Sequence, residues 1–287
     1  MSKAIVFYTS VQLQSHLIAV RLNNKSIGFV PTMGALHEGH MALVARAKEE
    51  CDLVVVSIFV NPTQFNNPTD LEKYPRMPEK DVEMLSTLGE IIVFIPTPEE
   101  IYPENNHFPG VQLGLLDSVL EGKFRAGHFK GVTHVVYNLF AIVQPQKAYF
   151  GKKDYQQVAV IREMIRQLHL PVELVACATL RESSGLAKSS RNMRLSSEEK
   201  EDALIIIDTL RFIKLQAIKE TPSALAAKAR AYFAIGALRL EYLEIIDGAS
   251  FETLTNKWVD SAVCCIAAHC GEVRLIDNLE LFSNENE

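Results

Sequence analysis

The sequence has no uninterrupted apolar run of about 18 residues, so no segment is expected to cross a bilayer as a helix. Its first stretch, MSKAIVFYTSVQLQ, lacks a charged segment followed by a long apolar core, which argues against a secretory leader. Excess positive charge is missing too. With 29 Lys and Arg against 35 Asp and Glu, the formal net charge is -6, whereas a broad nucleic-acid binder would carry a basic stripe. One local cationic pocket for a phosphorylated ligand remains compatible with that balance. Cysteine is sparse and irregular: Cys51, Cys177, Cys264, Cys265 and Cys270 form an odd set without framework spacing. The last three crowd around His269, but neighbours on a strand point to opposite faces. No second cysteine pair stands elsewhere to complete a zinc site. There is no internal repeat and no low-complexity segment. The expectation is a cytoplasmic protein without nucleic-acid or membrane partners.

What is present is a chain of 287 residues, 48% hydrophobic, enough for a sizeable core. Short runs rich in Val, Ile and Phe (SIGFVP, LVVVSIFV, EIIVFIP, KAYFG and VELVAC) read as strands apolar on both faces, the pattern of a covered parallel sheet. Helical patterns separate them at residues 38–50, 78–88, 131–143 and 154–169. This alternation predicts an α/β fold, a Rossmann-like doubly wound parallel sheet, with ligands beyond the carboxyl ends of the strands. After Cys177 the pattern changes. TLRESSGLAKSSRNMRLS is polar, without apolar period, and too long for an ordinary connection, which marks it as functional. Helical stretches at 196–220 and 221–238 and strand-like runs LEYLEIID, SAVCCIAAH and EVRLID follow. The expected boundaries are residues 1–179 for the sheet domain and 180–287 for a smaller C-terminal α+β domain acting as a lid.

Within the first domain, GFVPTMGALHEGH (residues 28–40) reads as strand, glycine turn and helix start. Gly34 permits a sharp turn and a close ligand approach. The helix beginning near Glu38 offers unpaired N–H groups and the positive end of its dipole, which attract phosphate. His37 and His40, three apart, share a face of that first turn. Two histidines packed by chance, or a zinc pair lacking its third ligand, are the competing readings. Fixed donors at this position would stabilise an anion held there.

Three further segments carry polar groups at strand ends or in loops. Asn61-Pro62 and Gln64 emerge where a buried strand stops; a glutamine there can bond a hydroxyl and a carboxylate. FGKKDYQQ places Lys152, Lys153 and Asp154 after another strand, with Asp154 either capping the next helix or accepting from ribose hydroxyls. GLAKSSRN offers two serines and two cations suited to phosphate, or serves as an ordinary linker.

PTMGALHEGH resembles the HxGH signature of nucleotidylyl transferases. Together with VVSIFVNPTQF, YPR, EGKFRAGHFKGV, FGKKDYQQ and GLAKSSRN, the chain resembles the pantothenate synthetase family over nearly its whole length, with RLIDN the clearest C-terminal echo. That resemblance implies an ATP-dependent ligase condensing pantoate with β-alanine through a pantoyl adenylate, releasing AMP and pyrophosphate. It implies that Pro31, Thr32, Met33, Gly34, His37, Gly39 and His40 line the ATP site, with His40, the family's proton donor, and His37 on the phosphates. Gly151 borders the nucleotide, Lys153 contacts phosphate as a third catalytic group, and Asp154 meets the ribose. Leu180 touches adenine through its backbone, and Lys188, Ser189, Ser190 and Arg191 grip phosphate. Gln64 and Gln157, with Asn61 and Met33, hold pantoate, and Gln64 also borders β-alanine. Asp81 matches an acidic position near metal-bound phosphates, with Mg2+ accompanying ATP. Family members are commonly homodimers.

The chain departs from the family pattern at Ser184 (commonly Asp), Ala126 (Pro), Lys188 (apolar) and Lys152 (Glu). None removes a group the chemistry requires. The rival functions are a plain nucleotidylyl transferase, which would want more cations around its acceptor, and a non-catalytic nucleotide sensor.

Overall fold

The computed structural model describes residues 4–105 and 107–282; residues 1–3, 106 and 283–287 lie outside that description. The chain divides into two compact units. One comprises Met1–Asp117, Arg125–Lys152 and Gln156–Ala178, the other Ser118–Phe124, Lys153–Tyr155 and Thr179–Glu287.

The first unit is built on a six-stranded parallel sheet of β1 (Ile5–Phe7), β2 (Ile27–Thr32), β3 (Leu53–Ile58), β4 (Ile92–Phe94), β5 (Lys147–Gly151) and β6 (Glu173–Cys177). The strand order is β1-β4-β3-β2-β5-β6. Successive residues feed two separate cores, as the period of two requires. Phe29, Val55, Ile92 and Phe94 pack on one face with α1 (Ser10–Leu22), α4 (His128–Val143) and α5 (Tyr155–Gln167). Val30, Val54, Val56 and Val93 pack on the other with α2 (Glu38–Glu50) and α3 (Pro78–Ser86). Burial on both faces is why these strands carry apolar runs rather than alternation.

Strand order reverses between β2 and β5, the switch point at which such sheets open a crevice. These two strands pair only at Gly28 with Lys147 and at Phe29 with Ala148, in their amino-terminal halves. The carboxyl ends of β2 and β5 therefore run on without a shared ladder.

The second unit holds an antiparallel sheet, β7 (Arg239–Asp247), β8 (Ala262–Cys270) and β9 (Val273–Glu280), in that order. Its core joins Ile206, Leu210, Leu225 and Phe233 of the helices to Leu243, Ile245, Cys264, Ile266 and Leu275 of the sheet. The helix expected over 196–220 is two helices, α6 (Ser197–Asp202) and α7 (Leu204–Gln216), with Ala203 between them; α8 spans Pro222–Phe233. A capping box between Ser196 and Glu199 starts α6. Cys264 and Cys265 are both buried, and burial pushes both thiols up, so they serve as small hydrophobes.

Candidate active site

The turn after β2 is organised by hydrogen bonds that fix two imidazoles. Thr32 Oγ1 donates to the Ser57 carbonyl at 2.6 Å and accepts from the Gly34 N–H at 3.2 Å, tying the strand end to β3. Gly34 and Ala35 both adopt positive φ, 77° and 50°. A Cβ on Gly34 would meet Asp81 Oδ2 at 2.9 Å. His37 is the N-cap of α2. Its Nδ1 accepts from the Gly39 N–H at 3.1 Å, while His40 Nδ1 accepts from the His37 N–H at 3.3 Å. The rings lie 4.1 Å apart between centroids and are half-buried. Because each ring accepts at Nδ1, each neutral imidazole carries its proton on Nε2. Two N–H donors are thereby fixed at a helix N-terminus, where backbone and dipole already favour an anion.

Asp81, on α3, braces this turn. Its Oδ2 accepts from the Ala35 N–H at 2.9 Å and its Oδ1 from the Leu36 N–H at 2.8 Å. The side chain is buried, and burial pushes its carboxyl up against the pull of the two amides. The structure thus places the residue expected near a metal beneath the histidine turn, with both oxygens on backbone. Among the described residues no three His, Cys, Asp or Glu side chains converge as a metal cluster.

Beyond β3, Asn61 and Gln64 are also buried. Asn61 Oδ1 accepts from Tyr102 Oη at 2.7 Å and from the Thr63 hydroxyl at 3.0 Å. Its Nδ2 donates to Gln64 Oε1 at 3.1 Å and to the Gly131 carbonyl at 3.2 Å. Gln64 Nε2 reaches Met33 Sδ at 3.1 Å. Asn61 therefore orients Gln64, which in turn touches the residue that opens the histidine turn. Gly131 of α4 is needed for close approach, since a Cβ there would stand 2.4 Å from the Thr63 carbonyl oxygen. Gln157 is half-buried on the first turn of α5, whereas its neighbour Gln156 is buried and donates to the Leu116 carbonyl at 2.7 Å. Gly151 ends β5 with nothing within 4 Å of where a Cβ would sit.

In the second unit the polar stretch is more ordered than its composition predicts. Arg181 and Ala187 form a bridge, Gly185 takes φ 97°, and Ser190–Arg194 forms a 3-10 turn capped by Ser189. Leu186 and Leu195 enter the core of this unit, too far apart to show as a period. Arg181 forks onto Asp277 at 2.6 and 3.2 Å, and Asn192 Nδ2 donates to the Ala187 carbonyl at 3.0 Å. Ser190 is buried, Lys188 and Arg191 are half-buried, and Leu180 is 41% exposed. Ser184 Oγ accepts from the Leu186 N–H at 3.5 Å. Lys153 and Asp154 form a 3-10 turn with Lys152 ahead of α5, and Asn278 Nδ2 donates to the Lys153 carbonyl at 2.8 Å. RLIDN on β9 thus supplies the anchors of both segments. Its Arg274 also forks onto Glu121 at 2.8 Å through two nitrogens. Arg181, Asp277, Asn278 and His128 all fall within legible motifs, yet their contacts are long-range and no local signal marks their roles.

The sequence profile of the family described as Pantoate-beta-alanine ligase matches residues 5–280. A pantothenate synthetase of Porphyromonas gingivalis is 49% identical over 278 residues, 96% of this chain and 98% of its own length. One from Phocaeicola vulgatus is 51% identical over 279 residues, covering 95% and 97%. The crystal structure of pantothenate synthetase from Thermus thermophilus superposes with a TM-score of 0.90 at 40% identity, over 97% of this chain and all of that one. A pantoate-beta-alanine ligase from Francisella tularensis, complexed with beta-gamma ATP and beta-alanine, gives a TM-score of 0.81 at 36% identity, over 98% and 99%.

Proposed function

This chain belongs to the pantoate-beta-alanine ligase family, and from that premise we propose how its own residues carry out the ligation. The enzyme condenses pantoate with β-alanine, consuming ATP and passing through a pantoyl adenylate. A pantoate carboxylate oxygen attacks the α-phosphorus, and the bond to the bridging oxygen breaks as pyrophosphate leaves. The β-alanine amine then attacks the activated carbonyl, forming the amide and releasing AMP. No enzyme side chain is acylated or adenylylated.

In this reading Pro31, Thr32, Met33, Gly34, Gly39 and the two histidines line the ATP phosphates. The Nε2–H groups of His37 and His40 donate to the charge that grows on the departing pyrophosphate, the step at which fixed donors lower a barrier most. The observation that carries the reading is the reciprocal capping of the two rings, which commits both Nδ1 atoms to backbone amides. Gln64 and Gln157, with Met33, take pantoate, and Asn61 contributes by holding Gln64. Gln64 borders β-alanine as well. Gly151, Lys153, Asp154, Leu180, Lys188, Ser189, Ser190 and Arg191 bind the nucleotide, Lys153 and residues 188–191 through its phosphates. Mg2+ arrives as the phosphate complex of ATP and needs no protein cage, as is usual for this ion. Asp81 serves by bracing the turn.

The same reading gives a cytoplasmic enzyme acting as a homodimer. No helix among the described residues is long and apolar enough to cross a membrane. Val11, Ile18 and Leu22 form an exposed apolar stripe on α1 that suits a second copy, which light scattering would test. Pantoate with heavy oxygen in its carboxylate tests the chemistry. One labelled oxygen must appear in AMP, and pyrophosphate must form from ATP and pantoate before β-alanine is added. Unlabelled AMP would overturn the adenylate route.

A further inference from the structure

The motif EGKFRAGHFKGV leaves one buried histidine without a part in the chemistry so far. His128 opens α4, and its two ring nitrogens face opposite kinds of partner. Nδ1 lies 2.8 Å from the backbone carbonyl of Gln64, which can only accept. Nε2 lies 3.0 Å from a guanidinium nitrogen of Arg125, which can only donate. The ring is thereby fixed as the neutral tautomer with its proton on Nδ1, opposite to that of His37 and His40.

We propose that His128 is a positioning residue for pantoate recognition, its Nδ1–H clamping the Gln64 carbonyl while Arg125 locks the tautomer that makes the clamp possible. This role rests on the pantoate reading of Gln64. Gln64 is then held at three points: its carbonyl by His128, its Oε1 by Asn61 and its Nε2 against Met33 Sδ. A glutamine so held presents its amide in one orientation rather than several, which lowers the ordering cost of binding. The peptide carrying Gln64 is also where Gly131 of the same helix makes its closest approach. The first turn of α4 therefore sets both the position and the hold of the binding residue.

The test compares His128→Leu, His128→Asn, Gln64→Ala and the double variant His128→Leu with Gln64→Ala. His128→Leu should raise the KM for pantoate about tenfold and leave that for ATP within about twofold. His128→Asn, whose amide nitrogen stands where Nδ1 stood, should recover most of the loss. In the Gln64→Ala background, His128→Leu should add little, because the two act through one contact. An equal rise in KM for ATP, no recovery by Asn, or full additivity would overturn the clamp. An unchanged pantoate KM in Gln64→Ala would overturn the reading of Gln64 itself, and the clamp's role with it. A raised KM in Gln64→Ala with none in His128→Leu would overturn the clamp alone. Should His128→Leu not fold, the wild type still decides: nitrogen-labelled histidine must show the Nδ1–H tautomer for the signal that His128→Asn removes, and an Nε2–H tautomer refutes the proposal.

Discussion

The histidine turn of the first unit and the polar stretch of the second are each held by a buried aspartate, by opposite means. Asp81 takes two backbone amides, and no ion pair to it is seen among the described residues. Asp277 takes the fork of Arg181, with side-chain exposures of 3% and 13%. Amides offer direction without charge, so the turn is shaped by its own backbone and stays close to one geometry. A guanidinium offers charge, so the stretch near Arg181 is fixed at a point and its shape comes from the bridge, the 3-10 turn and two buried leucines. A turn that holds two imidazoles in one orientation and a segment that reaches a partner 96 residues away in sequence face different problems, and their partners reflect that.

Removing the ion pair should separate the two regions most strongly. Arg181→Leu leaves Asp277 charged and buried, and should destabilise the second unit by roughly 3–5 kcal/mol. Trp258, the only tryptophan, lies in that unit and reports the denaturant transition. A loss below about 1 kcal/mol would mean that water reaches the pair and that the contrast is false. Next comes His40→Ala, which should slow pyrophosphate release about 10²-fold, equivalent to about 2.7 kcal/mol, while leaving the Trp258 transition in place. Near-normal turnover would count against the donor role.

The glycines of the two regions sharpen the comparison further. Gly34→Ala combines a positive φ with a Cβ 2.9 Å from both Asp81 Oδ2 and Ile58 Cγ2, and should cost roughly 2–4 kcal/mol. Gly185→Ala has the backbone strain, but its nearest neighbour is the Arg211 guanidinium at 3.1 Å, a flexible end, so roughly 1–2 kcal/mol is expected. Equal losses by calorimetry would show that the turn is no more constrained than the loop.

The smallest effect is in pH. Burial raises Asp81, so its ionisation opposes folding. That contribution to stability is fully present below the ordinary 3.8 and lost as pH rises through the raised value. Glu241 behaves in the reverse sense. Burial pushes it up, but hydrogen bonds from Arg274 and His269 outweigh burial and hold it low. Its contribution is present above the ordinary 4.5 and lost as pH falls through the lowered value. Acidification should therefore favour wild type over Asp81→Asn and narrow the gap between wild type and Glu241→Gln. Denaturation at pH 7 and pH 4 checks both signs.

The parts legible in the sequence were those whose cause is local. KAYFG and residues 38–50 match β5 and α2 end to end, because a buried parallel strand and a capped helix each announce themselves within a few residues. Strand β1, three residues long, is too short to show a pattern. Helix α1 shows Val11, Ile18 and Leu22 to solvent beside Gln12 and Ser15 while burying Leu13 and Leu17, so its apolar residues lie on two sides and keep no single period. The break at Ala203 leaves no mark in the sequence, because neither proline nor glycine stands there and helix-forming residues run on from Glu198 past Leu204. Within the site, the histidine pair was readable as strand, turn and helix start. The brace from Asp81 lies 45 and 46 residues away, and the clamp from His128 lies 64 away. No short-range pattern records such contacts.

Pro31 gives the open end of the sheet its chemical reason. The carbonyls of Ser26 and Thr32 accept from Leu53 and Phe59, so even-numbered residues of β2 point their amide groups toward β3. Ile27 accepts from Gln146, so odd-numbered ones point toward β5. The next rung of that second ladder after Phe29 falls on residue 31, and a proline has no N–H to offer there. The two central strands cannot zip shut past that rung, and the imino acid acts as a permanent wedge at the mouth from which the histidine turn departs.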